Sequence, residues 1–165
     1  MKNNTKRIAI VAMVAAVYVA ATIGLAPISF GVVQFRISEA LTLLAFFNPI
    51  FVPGLTLGVL IANFASPYGL LDMLLGTLAS FIAFVLIRVT RKTINNLFIA
   101  SLFPTITNGL IIPFVILGQN VTFASYWAVA ASVAFGQFVV LTVSYFIFRL
   151  LIKTNQPFIN MLENL

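Results

Sequence analysis

Long uncharged apolar runs, broken by short polar stretches, make up most of the chain. A helix needs about 17–25 apolar residues to cross a hydrocarbon core. The runs predict six transmembrane helices over residues 8–26, 39–47, 50–65, 70–87, 97–117 and 123–148, all in one membrane domain spanning 1–165. The first run, nineteen residues from Ile8 to Ala26, exceeds the roughly 7–15 residue apolar core of a signal peptide. Ala40 to Leu71 is uncharged for 32 residues, roughly 48 Å as one helix against a core of about 30 Å. Asn48, Pro49, Pro53 and Gly54 supply breaks near its middle, so the run is divided into a short second span and a third. Ser66-Pro67-Tyr68-Gly69 has the composition of a turn. From Thr93 to Phe148 no charge occurs, and Gly118-Gln119-Asn120 divides that stretch in two.

Composition removes the soluble alternatives. Of 165 residues, 62% are apolar and 7% charged, where ordinary domains have about 45–50% and 25%. Such a chain cannot cover its surface in water, which excludes soluble enzymes, disordered proteins and secreted disulfide scaffolds. With no Cys or His there is no thiolate nucleophile, Cys/His metal site or imidazole base. Three acids, Glu39, Asp72 and Glu163, are too few for a carboxylate metal cage, and no cofactor is implied. The phosphate-loop, HExxH and GxSxG patterns are missing, so any energy must come from a partner or an ion gradient.

The basic residues orient the chain. Six spans put both termini on one side, and Lys2, Lys6, Arg7, Arg88, Arg91, Lys92, Arg149 and Lys153 fall there, leaving Arg36 opposite. Positively charged loops mark the cytoplasm, so both termini are expected to be cytoplasmic. The net charge of +6 is thereby explained without nucleic acid.

Polar side chains within a bilayer are costly, about 2.5–3.5 kcal/mol for a central charge, so their positions carry information. Gln34, Arg36, Glu39, Asn63, Tyr68, Asp72, Gln119 and Asn120 map to the outer ends of spans, and Asn108 lies nearer a span's middle. An outward-facing cavity walled by these groups is expected. Val33 to Ser38 alternates strictly between apolar and polar residues, the pattern of an extended flap. Plainer readings stand beside this one. Ser38 can cap the second span and Glu39 and Asp72 can complement helix dipoles. Arg36 can pair with Glu39. Asn63 and Asn108 can serve as interhelical glue, or Asn108 can satisfy a kink beside Gly109 and Pro113. Tyr126 and Trp127 suit an interfacial aromatic belt. Small residues recur at Gly54, Gly58 and Ala62, which suits internal packing, and at Ala12, Ala16 and Ala20, which suits packing or docking to another membrane protein.

The stretch Phe30-Gly31-Val32-Val33-Gln34-Phe35-Arg36-Ile37-Ser38-Glu39-Ala40-Leu41-Thr42, with Ala62-Asn63-Phe64, Gly69-Leu70-Leu71-Asp72 and Gly76, resembles the QueT family. These are substrate-binding S components of energy-coupling factor transporters, associated with uptake of queuosine precursors. Ala45 stands where the family pattern has proline. The resemblance implies a bacterial plasma-membrane subunit that captures a solute and joins a transmembrane coupling protein and two cytoplasmic ATPases. Ala12, Ala16 and Ala20 match the family's docking stripe. The implied ligand is 7-aminomethyl-7-deazaguanine. A carboxylate such as Glu39 accepts from a guanine-like edge, and Asn63, Asn108 or Gln34 donates to its carbonyl. Asp72 would hold the ammonium, with Arg36 offered from the flap and Phe35, Tyr68 or Trp127 stacking on the ring. Rival readings are an S component for another vitamin, a scaffold without a solute, and, more distantly, an enzyme using Glu39 and Asp72.

Overall fold

The computed structural model describes residues 2–31 and 33–165, the first two by backbone alone. Val32 of the flap motif and the side chain of Lys2 therefore lie outside the described residues. Eight helices follow one another: α1 Lys2–Gly24, α2 Ala26–Ser29, α3 Ile37–Phe47, α4 Phe51–Asn63, α5 Asp72–Thr93, α6 Leu97–Leu117, α7 Phe123–Thr154 and α8 Gln156–Glu163. No strand occurs among the described residues.

Four of these helices, within α1, α5, α6 and α7, are long and apolar enough to cross a bilayer. Helices α3 and α4 are shorter. The thirteen residues of α4 rise only about 20 Å. They are separated by a turn that Asn48 builds, its Oδ1 accepting from the Ile50 amide at 3.0 Å. Pro53 does not interrupt the chain, because it falls in the first turn of α4, where no intrahelical N–H bond is lost. Helix α6 begins after Asn96, whose side chain accepts from the amides of Phe98 and Ile99. Thr122 and Ser125 form a reciprocal cap at the start of α7. That helix continues past Arg149 to Thr154 because a basic side chain at its end opposes neither the helix dipole nor water contact.

The core gathers α1, α3, α4 and parts of α5, α7 and α8 around Tyr18, Leu43, Leu55, Val59, Phe84 and Ile87. Helices α1 and α4 run parallel and nearly touch. A methyl group at Gly58 would lie 2.8 Å from the Tyr18 Cβ, and one at Gly54 would lie 2.9 Å from the Val11 carbonyl oxygen. Glycine here lets two backbones approach and gain dispersion contact. Ala12, Ala16 and Ala20 are exposed at the edge of this contact, lining a shallow groove with Leu57 and Ile61 of α4.

Basic residues collect at one end. Arg91 pairs with Glu163 at 2.6 Å, Arg88 donates to the Phe46 carbonyl at 3.1 Å, and Asn48 donates to the Glu163 carbonyl at 3.0 Å. Lys6 and Arg7 border the same recess as Asn164 and Leu165. Both described ends of the chain thus meet there, with α8 burying Ile159 and Leu162.

Candidate functional site

The flap is extended, and its alternation is resolved inside out. Gln34, Arg36 and Ser38 are buried, while Val33 and Ile37 are exposed. In water a strand hides its apolar face; here the polar face turns toward protein, as backbone and polar groups at membrane depth require. The Phe35 amide donates to the Ile28 carbonyl at 3.0 Å, tying the flap to α2. From behind, α7 presses on it at Gly136, where a methyl group would sit 2.6 Å from the Gln34 carbonyl oxygen.

Beyond the flap, α3 opens with tight 3₁₀ turns over Ile37–Leu43. A three-residue repeat stacks positions i and i+3 on one face, and Glu39 and Thr42 both point inward from it. Arg36, one repeat earlier, reaches Asp72 on α5 at 3.2 Å and lies 5.3 Å from the centre of the Phe30 ring. Glu39 accepts from the Tyr18 hydroxyl at 2.8 Å. Ser38 shares a hydrogen bond with Thr22 at 2.6 Å. Asp72 begins a single π turn ending at Gly76. Such a turn, wider than the α form, is frequent at functional sites. Asn63 donates to the Asp72 carbonyl at 3.0 Å, closing the seam between α4 and α5.

Some of the plainer readings hold and others do not. Glu39 and Asp72 each stand in the first turn of a helix, as the dipole reading has it, and Asn63 bridges α4 and α5, but Ser38 does not cap α3, whose start has no side-chain cap bond. Arg36 pairs with Asp72 rather than Glu39: in a 3₁₀ turn the two lie side by side on one face, leaving the guanidinium free to reach across to α5. Asn108 satisfies no kink carbonyl, because neither end of its amide has a partner.

Unmatched polar atoms distinguish this region. Fully buried and without a hydrogen-bond partner are both amide ends of Gln34 and Asn108, Arg36 Nε, Glu39 Oε2, Asn63 Oδ1, Asp72 Oδ1 and Gln137 Oε1. Most buried polar groups in proteins are paired, and leaving one unpaired costs about 1–3 kcal/mol. So many together on the flap and on α3 to α7 mark this region as costly to fold. Asn108 belongs to α6, which packs against both the 3₁₀ segment and the π turn.

The polar groups expected to wall an outward-facing cavity are enclosed by protein. Gln34, Arg36, Glu39, Asn63, Asp72 and Asn108 are each at most 2% exposed. Apart from the basic recess at the other end, the grooves are apolar, such as that lined by Ile106, Leu110, Trp127 and Ala134 between α6 and α7.

Each of the three aromatic candidates packs mainly on apolar neighbours. Phe35 meets Phe135 edge-on at 6.3 Å. Tyr68 packs on Ile112, Val115 and Val133; burial and the nearby Asp72 carboxylate raise its phenol above the ordinary value, so it remains a proton donor. Trp127 is half exposed against Phe123 and Tyr126. Gln119 and Asn120 are exposed. Tyr18 and Thr22 are the residues that sequence reasoning passed over. Their signal was the four-residue spacing of Ile10, Val14, Tyr18 and Thr22 along the buried face of α1. Tyr18→Phe removes the donor to Glu39 and is expected to lower stability by about 1–3 kcal/mol, read as a fall in the unfolding midpoint in detergent.

The chain matches the family model described as QueT transporter over residues 8–153. It is 41% identical over 83 residues to the queuosine precursor transporter QueT of Lactococcus lactis subsp. cremoris (strain MG1363). That stretch covers 49% of this chain and 48% of the relative, about half the length of each. No solved structure matches the chain significantly.

Proposed function

The chain belongs to the QueT transporter family, and from that premise we propose that it is the solute-capturing S component of an energy-coupling factor importer. In this reading it lies in the bacterial plasma membrane with six spans and both termini cytoplasmic. Helices α3 and α4 supply the second and third spans as a short pair. The solute is a queuosine precursor such as 7-aminomethyl-7-deazaguanine.

The observation that carries the reading is the set of buried, unpartnered polar atoms on Gln34, Glu39, Asn63, Asp72, Asn108 and Gln137. A guanine-like base presents N–H groups along one edge and a carbonyl beside them. Carboxylates and amides are the side chains that match both. Apolar walls exclude water and strengthen each bond so formed. Because the site is closed, a solute enters when the flap of residues 33–38 lifts off α7. The flap meets α7 through a bare glycine, Gly136, and through the edge-on contact of Phe35 with Phe135, which separates when it lifts.

The exposed stripe of Ala12, Ala16 and Ala20 would receive the transmembrane coupling protein, which in turn carries two cytoplasmic ATPases. Small residues let a partner helix approach closely. Uptake of labelled 7-aminomethyl-7-deazaguanine into cells tests the whole reading. Accumulation is expected only when the chain and its coupling proteins are coexpressed, with competition by excess unlabelled base but not by unrelated vitamins. Uptake suppressed by another vitamin instead would reassign the solute. No uptake and no copurifying compound would leave a membrane scaffold as the better description.

A further inference from the structure

The charge balance of the closed site constrains the solute more tightly than its shape. Three formally charged side chains are buried there: Arg36, Glu39 and Asp72. Arg36 and Asp72 neutralise each other at 3.2 Å. Glu39 is fully buried, and among the described residues no cation lies within ion-pair distance of it. Its one protein partner is the neutral Tyr18 hydroxyl on Oε1, and Oε2 has none. With Glu39 ionised, one negative charge is in excess inside an apolar bundle, where an unpaired ion is costly and a bound cation would hold it in that form.

Hydrogen-bonding capacity is skewed in the same direction. Gln34 and Asn108 offer an unpaired acceptor and an unpaired donor each. Among the charged and amide groups the remainder are mostly acceptors, namely Glu39 Oε2, Asp72 Oδ1, Asn63 Oδ1 and Gln137 Oε1, against the donor Arg36 Nε, while the unpartnered hydroxyls of Ser29, Thr77, Ser80 and Thr105 can serve either way. The assignment at Asn63 is fixed by chemistry, because its other end meets a backbone carbonyl and so must be the amino group. A complementary solute is rich in N–H groups and carries one positive charge.

Resting on the solute-capture reading, we propose that the site selects a monocation and that Glu39, not Asp72, is the counter-ion of its protonated amine. Arg36 already occupies Asp72, so a cation placed beside Asp72 would meet a guanidinium as well as a carboxylate. Beside Glu39 it meets a carboxylate held in place by Tyr18, with one oxygen unpartnered and no ion-pair contact to Arg36. Binding then brings the site to neutrality, and solutes of the same shape without the charge are rejected.

The test compares ligand pairs differing only in an aminomethyl or a nitrile substituent, on a 7-deazaguanine and on a 2-methyl-4-aminopyrimidine scaffold. Binding to the purified chain in nanodiscs is measured by calorimetry. On whichever scaffold binds, the aminomethyl compound is expected to bind about 100-fold more tightly than the nitrile. Glu39→Gln is expected to abolish that preference and Glu39→Asp to retain it, with both variants monodisperse on size exclusion. Should Glu39→Gln not fold, the wild-type ratio and Glu39→Asp still decide. Equal affinity for both 7-deazaguanines in the wild type overturns the cation proposal and leaves the base reading intact. Preference for the charged pyrimidine with no deazaguanine binding sustains the cation proposal and overturns the base reading. Binding of neither scaffold overturns both.

Discussion

Asp72→Ala is expected to cost about 3–5 kcal/mol, because it strands the Arg36 guanidinium inside the bundle without its partner. Arg36 is 2% exposed and bonded to Asp72 at 3.2 Å, so water cannot replace the lost carboxylate without opening the flap. A loss of that size consumes a large part of the net stability of a typical domain. It should appear as a large drop in the denaturation midpoint and as proteolysis within residues 33–38. Removing both charges is expected to recover most of the loss, since an apolar pair of similar volume is often as stable as a buried ion pair. A double-mutant cycle with Arg36→Met and Asp72→Leu measures this, and additive single effects would mean that the two side chains do not depend on each other.

Gly136→Val carries the second large effect. The Cβ would lie 2.6 Å from the oxygen, 3.0 Å from the carbon and 3.3 Å from the nitrogen of Gln34. All three are backbone atoms, so no rotamer change relieves the overlap and the flap must move away from α7. Overpacking of this kind typically costs about 1–3 kcal/mol. The larger consequence is functional, because Gln34 and Arg36 are displaced together. Solute affinity is expected to fall by about 100-fold or more, equivalent to roughly 2.7 kcal/mol. Gly109→Ala serves as a control, its methyl facing the Ala134 side chain at 3.1 Å rather than the flap.

Periodicity and charge made the long helices legible. The run from Leu97 to Leu117 is bounded by an asparagine cap and a glycine of positive φ, both readable as signals. The apolar run ends at Phe148, while helix α7 continues to Thr154, because a basic residue extends a helix as readily as it ends one. Helices α3 and α4 were divided at the right asparagine, but their 3₁₀ and α character was not readable, since it depends on packing against α1 and α7.

Within the site, sequence proximity was the misleading guide. Glu39 is three residues from Arg36 and was its natural partner, yet the guanidinium reaches Asp72, 36 positions away. Tyr18 was hidden for a different reason. A phenol in an apolar run reads as bulk, and its hydroxyl acquires meaning only once the 3₁₀ turn brings Glu39 against α1. The inward polar face of the flap was legible because strict alternation admits only two orientations, and a bilayer setting selects the one that soluble proteins avoid.

The most direct examination of this account is equilibrium binding of labelled 7-aminomethyl-7-deazaguanine to the purified chain without partners. Saturable binding of one molecule per chain, accompanied by protection of the flap from proteolysis and weakened by Gly136→Val, is the predicted result. Absence of saturable binding, with the flap equally protected whether or not the base is present, would contradict it and return the unpaired polar atoms to an unexplained structural role.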